Sequence, residues 1–235
     1  MGKQLEKFKK RLKETHKYMW IYDFEYLLDI EYGALNSFLS KSKITIKKNE
    51  EELKKKMNEW NSKRKGHENL TDSFEMFETE IIEIGQFSSL LFNSFFIMSY
   101  SIFEHHFFEV SNYCQKEEEK NISVKEMKGN GIEKCKIFIK KEIGIDLRSV
   151  ETHWEIITKY QKIRNSITHN YGILNQKDAK NKSLKEFILN NQYIDYDSKS
   201  RTVSINSIIF ITEFTDLIKE YFSKLYYEVI SQKKQ

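Results

Sequence analysis

Apolar residues recur three and four positions apart over most of this chain, and that spacing predicts helices. Ile209, Phe210, Phe214, Leu217, Ile218, Tyr221, Phe222 and Leu225 form one such run, giving a helix from about 206 to 230. Trp154, Ile157 and Ile163 mark the apolar side of another over 149–171, and GIEKCKIFIKKEI at 131–143 predicts a shorter one closed by Gly144. Phe87, Leu91, Phe95, Met98 and Ile102 form a stripe in a longer helix. That helix is capped by Thr71 or Asp72 and runs to about 119, with Gly85 a point for a break. Residues 3–38 suit one or two helices, and the charged stretch 49–65 carries a narrow stripe of Leu53, Met57 and Trp60 with Gly66 as its stop. Two stretches read differently. YIDYDSKSRTVSI alternates by two around a turn, predicting a hairpin at 193–205, and KITIKK at 43–48 reads as extended. The expected fold is therefore all-α: an antiparallel helical bundle with an N-terminal helical extension and a small β-hairpin before the last helix.

Composition agrees with long helices. The 235 residues include no Pro and only eight Gly, so few positions interrupt a helix. Aromatic residues at 14% and charged residues at 31% provide both a core and a solvated surface. GHENLTD, residues 66–72, is the expected boundary between an extension, 1–69, and a main helical domain, 70–235. Two cysteines, Cys114 and Cys135, are too few for a disulfide scaffold and suit free thiols in a reducing compartment. The opening MGKQLEKFKKRLKE has no apolar leader segment. Residues 84–103 are uncharged, but Gln86, Asn93 and several serines interrupt them, which favours a buried central helix over a membrane span. A cytoplasmic protein with no membrane partner is the expectation.

Charge is unevenly spread. Residues 40–66 carry ten basic and four acidic side chains, 71–119 one basic and ten acidic, and 159–201 nine basic and four acidic. Such basic stretches favour phosphate-bearing partners, although a Lys-rich compositional bias produces the same pattern.

Candidate chemistry concentrates in QKIRNSITHNYG, residues 161–172. Arg164 and His169 stand five apart, which sets them about 140° apart on an ideal helix but within two turns. Fraying near Tyr171–Gly172 would let both line one cleft. Asn165 and His169, four apart, are neighbours on one face. An imidazole moves protons near neutral pH, and a guanidinium forks onto two phosphate oxygens. Spacing alone also fits a helix terminus whose Arg and His serve the last carbonyls and the helix dipole.

The stretch from Trp154 through Ile163, Arg164, Asn165 and His169 to Tyr171 and Gly172 resembles the signature helix of the HEPN superfamily, nucleotide-binding domains of higher eukaryotes and prokaryotes. The aromatic helix ending in SYSIFEHHFFEV, residues 99–110, looks like the partner helix of that bundle. The resemblance covers the organisation of roughly 70–230; Arg164, Asn165 and His169 carry it specifically, and the first seventy residues have no counterpart. It implies a metal-independent endoribonuclease of a toxin or phage-defence system. Such an enzyme uses the RNA's own 2′-OH and leaves a 2′,3′-cyclic phosphate and a 5′-OH. It implies catalytic roles for Arg164 and His169, support from Asn165 and from Glu104 on the facing helix, and no cofactor or metal. One motif His per chain implies a homodimer with a composite site. RNA, tRNA or mRNA included, is the implied substrate, and an antitoxin or defence-system component is a possible partner. Tyr171 makes the motif resemble minimal toxins in which an antitoxin modifies that Tyr, though this chain is much longer; an aromatic packed at the helix end is the plainer reading. Glu104 fits a helix-surface ion pair equally well. Adjacent His105 and His106 diverge by about 100° and make poor joint ligands for one ion. The rival reading is a non-catalytic HEPN module that binds nucleotides or scaffolds a larger defence complex.

Overall fold

The computed structural model describes residues 18–65 and 71–233. The expected start of the first helix at 3–17, the stop at Gly66 and most of the 66–72 boundary lie outside the described residues. The fold is all-α. Eight α-helices occupy the described residues: α1 Trp20–Arg64, α2 Ser73–Met76, α3 Glu78–Glu117, α4 Ile132–Phe138, α5 Glu151–Asn170, α6 Gln176–Ala179, α7 Lys182–Leu189 and α8 Ile208–Lys233. A single hairpin, β1 Ile194–Asp197 with β2 Thr202–Ile205, precedes α8.

Asp72 starts the α2–α3 run by accepting a hydrogen bond from the Phe74 amide at 3.2 Å. Gly85 does not break α3; it sits inside the helix with open space around its Cα. Nor is KITIKK extended, because α1 runs straight through it. Leu39, Ile46 and Leu53 are buried at seven-residue spacing, and that stripe outweighs the strand preference of Ile44, Thr45 and Ile46. After α4 the backbone continues as one π-helical turn, Ile139–Ile143, which ends at left-handed Gly144 (φ 80°).

The chain divides into two compact units. One comprises Met1–Tyr32, Tyr100–Thr158 and Phe214–Gln235; the other comprises Gly33–Ser99 and Lys159–Glu213. The first has an aromatic core. Tyr100 stacks on Phe214 with ring centres 5.5 Å apart, and Phe107 packs near Trp154 and Tyr221. His106 is buried there between Phe24 and Phe222, with its Nε2 3.0 Å from the Tyr226 hydroxyl. Burial lowers its pKa to about 4. Cys114 and Cys135 are free, buried thiols in this unit, and burial raises both.

The second unit is built on Phe96, Tyr160 and Phe210, whose rings meet at 5.0–6.0 Å, with Phe187 of α7 closing on Tyr160 at 5.3 Å. Ile163, Leu174, Leu184, Ile188 and the hairpin's Ile194, Val203 and Ile205 are buried here. The hairpin register pairs Ile194 with Ile205 and Tyr196 with Val203. Asp197 organises its turn by accepting from the Lys199 amide and the Ser200 hydroxyl.

The uncharged part of α3 is buried only in places. Phe92, Phe95 and Phe96 face inward, whereas Phe87, Leu90 and Met98 remain exposed. By length and composition this helix is apolar enough to cross a membrane. The expectation of a buried helix therefore holds for one face of it.

Candidate active site on the last turns of α5

Arg164, Asn165 and His169 lie in the last two turns of α5, in the second unit. Ile163 and Ser166 point into the core and set the rotation of the helix, and the Ser166 hydroxyl donates to the Ile163 carbonyl at 2.7 Å. That rotation leaves Arg164 half-buried and turns Asn165 and His169 to solvent. The Arg164 Nη1 donates to Asn165 Oδ1 at 3.1 Å, so the structure brings these two side chains together. His169 has no hydrogen bond or ion pair among the described residues, and its exposed imidazole is open to a ligand.

The helix does not fray. It stays regular to Asn170 and ends sharply, because Tyr171 and Gly172 both adopt left-handed backbone at φ 52° and 85°. The Gly172 amide donates back to the Ser166 carbonyl at 2.9 Å, and the Ile173 amide to the Asn170 carbonyl at 2.9 Å. The chain then pairs with the outer edge of β2. The Val203 amide donates to the Gly172 carbonyl at 2.9 Å, and the Leu174 amide to the Arg201 carbonyl at 3.0 Å. Ile173 and Thr202 form an antiparallel bridge. A Cβ on residue 172 would lie 2.4 Å from the Val203 carbonyl oxygen, so only glycine fits this crossing. The hairpin thus clamps the end of the helix that carries His169. Sequence reasoning found the Tyr-Gly pair and the hairpin separately but missed the clamp; the only advance signal was a glycine placed just past the last helical residue.

With the helix regular through His169, Arg164 and His169 of one chain diverge by about 140°. The convergence expected from a frayed end does not occur within one chain. Tyr171 is 95% exposed and packs on nothing at the helix end. Glu104 lies on α3 within the first unit, half-buried, where its Oε1 is 3.7 Å from the point a Cβ on Gly131 would occupy. It also contributes to keeping the Cys135 thiol protonated.

Beside α5, a short connection folds back on itself. Asn175 caps α6 by accepting from the Asp178 amide at 2.9 Å, and Asp178 pairs with Lys162 of α5 at 3.4 Å. Asn181 caps α7 in the same way through the Leu184 amide. Lys177, Lys180, Lys182 and Lys185 stand exposed or half-exposed along this connection, so cations outnumber carboxylates around the motif. Among the described residues, no group of three or more His, Cys, Asp or Glu side chains is placed to hold a metal ion. Scans against protein-family models, curated proteins and solved structures each found no match.

Proposed function

We infer that the protein is a metal-independent endoribonuclease of the HEPN type, acting as a homodimer in a toxin or phage-defence system in the cytoplasm. The observation that carries this reading is a solvent-exposed His169, without a hydrogen-bond partner among the described residues, held on a clamped helix end one turn from an Arg164–Asn165 pair. In the proposed reaction an imidazole takes the proton of the RNA 2′-OH, and the 2′ oxygen attacks the adjacent phosphorus. The bond from phosphorus to the 5′ oxygen breaks, and a second imidazole protonates that leaving oxygen. The Arg164 guanidinium neutralises the charge gathering on the phosphorane oxygens, and Asn165 holds it in place. Because Arg164 and His169 point apart within one chain, base, acid and cation meet only when two chains pool their motifs. A supporting role for Glu104 rests on the resemblance alone; its neighbours in the structure are Gly131 and the Cys135 thiol.

The test is expression of the wild type against His169→Ala, followed by mapping of RNA ends. Wild type should generate 2′,3′-cyclic phosphate and 5′-OH termini, undiminished by chelators, and His169→Ala should generate none. Intact RNA in both would defeat the reading. The engagement of half-buried Arg164 by Asn165 also suits the rival, a non-catalytic HEPN module that binds nucleotides or scaffolds a defence complex. Tight nucleotide binding without cleavage would select it.

A further inference from the structure

Tyr171 stands where the fold has no use for an aromatic ring. Its backbone is left-handed at φ 52°, a conformation that Gly and Asn adopt readily and bulky residues rarely do. Its side chain is 95% exposed, and no other large hydrophobic side chain among the described residues exceeds 70%. Its hydroxyl makes no hydrogen bond among the described residues. The ring therefore adds backbone strain and recovers no packing within the chain, so a contact from outside is what remains to offset it.

The position is held firmly. On one side of Tyr171 the Gly172 amide donates to the Ser166 carbonyl, and the Gly172 carbonyl accepts from the Val203 amide. On the other side the Asn170 carbonyl accepts from the Ile173 amide. The Tyr171 Cα lies at most about 7.6 Å from that of His169, two trans peptide steps along the chain. That separation is comparable to one nucleotide step. Just before β2, Arg201 is also left-handed, at φ 61°, and its carbonyl accepts from the Leu174 amide. The Arg201 guanidinium has no ion pair or hydrogen bond among the described residues. Ring, imidazole and guanidinium are thus carried by one hydrogen-bonded piece of backbone inside the second unit. A cation on that piece favours the phosphate that accompanies a base.

We propose that Tyr171 is a stacking platform for a nucleobase of single-stranded RNA, the base that flanks the phosphate addressed by His169. A base presents a flat π face whatever its identity, so the platform tolerates all four and uses the ring, not the hydroxyl. The base's place beside His169 rests on the nuclease reading, but the stacking is a binding event and is read without cleavage.

The probe is a short fluorescein-labelled RNA oligonucleotide with 2′-O-methyl groups throughout, which lacks the attacking hydroxyl. By fluorescence anisotropy, Tyr171→Phe should bind as the wild type does, and Tyr171→Asn about tenfold more weakly. Folding should respond in the opposite sense. Asn suits left-handed backbone and no packing is lost, so Tyr171→Asn should unfold at a higher urea concentration than the wild type. Oligonucleotides carrying one abasic position each then locate the base. One such lesion should weaken wild-type binding about tenfold and leave binding by Tyr171→Asn nearly unchanged.

No binding by the wild type at high micromolar concentration, equal binding by Tyr171→Asn, or a lower urea midpoint for that variant would overturn the proposal. So would loss of binding in Tyr171→Phe, which would assign the contact to the hydroxyl. Light scattering without RNA in which Tyr171→Asn dissociates a wild-type dimer would also overturn it, giving the ring to a second copy of the chain. Ring-dependent, lesion-sensitive binding by a protein that leaves unmodified RNA intact would retire the nuclease reading and keep the platform. Cleavage by Tyr171→Asn with unchanged affinity and rate would do the reverse.

Discussion

The exposed His169 side chain makes no hydrogen bond or ion pair among the described residues, so removing its ring should cost activity and little else. His169→Ala is expected to lower RNA cleavage by a hundredfold or more, roughly the contribution of a positioned acid–base group, while thermal unfolding shifts by no more than a degree or so. Arg164→Lys should not rescue Arg164→Ala, because an ammonium lacks the fork that spans two phosphate oxygens. Gly172 behaves in the opposite way. Gly172→Ala drives a methyl into the Val203 carbonyl at a left-handed position, and urea unfolding should show a loss of about 1–3 kcal/mol. The identities of Arg164, Asn165 and His169 were legible in the sequence because residue types and spacing are sequence properties. Their directions were not, since rotation about α5 is set by what buries Ile163 and Ser166.

At the scale of elements, periodicity located the long helices and the hairpin, because stripes such as Phe210, Phe214, Ile218 and Tyr221 are written directly in the spacing. It failed at Lys43–Lys48, where β-branched residues suggested extension but Ile46 belongs to a seven-residue burial stripe that only the packed structure reveals. The short helices α6 and α7 were also missed; each is opened by an asparagine cap, Asn175 and Asn181, too local a signal to stand out beside long helices. The packing of α3 against α1 and α8 in the first unit carries a pH dependence. His106 lies among Phe24, Phe222 and Tyr226, and its pKa falls from an ordinary 6.5 to about 4 in the fold. Between those values the unfolded chain binds a proton that the folded chain refuses. Stability is therefore complete above about pH 6.5 and declines as the pH falls toward 4, by ~3 kcal/mol at most on 1.36 kcal/mol per unit. Urea titrations at pH 7 and pH 5 should display that slope, and His106→Phe should flatten it.

For the whole molecule, net charge is a modest +4, yet α1 concentrates cations. Lys43, Lys47 and Lys54 fall within about 40° of one another on one flank of α1 and are exposed. If RNA is the substrate, replacing all three with Gln in a His169→Ala background should reduce the slope of log K against log salt by about two, from ~0.7 per phosphate contact on single strands. Fluorescence anisotropy with a labelled RNA measures this, and an unchanged slope would assign the strand to other cations.

The two compact units are woven from alternating pieces of chain, with crossings after Tyr32, Ser99, Thr158 and Glu213, each inside a helix. No single cut liberates either unit intact. Truncation from either end should therefore yield insoluble or protease-sensitive fragments rather than a minimal working half, and polypeptide grafted into the DSKSR turn should be tolerated far better than any shortening.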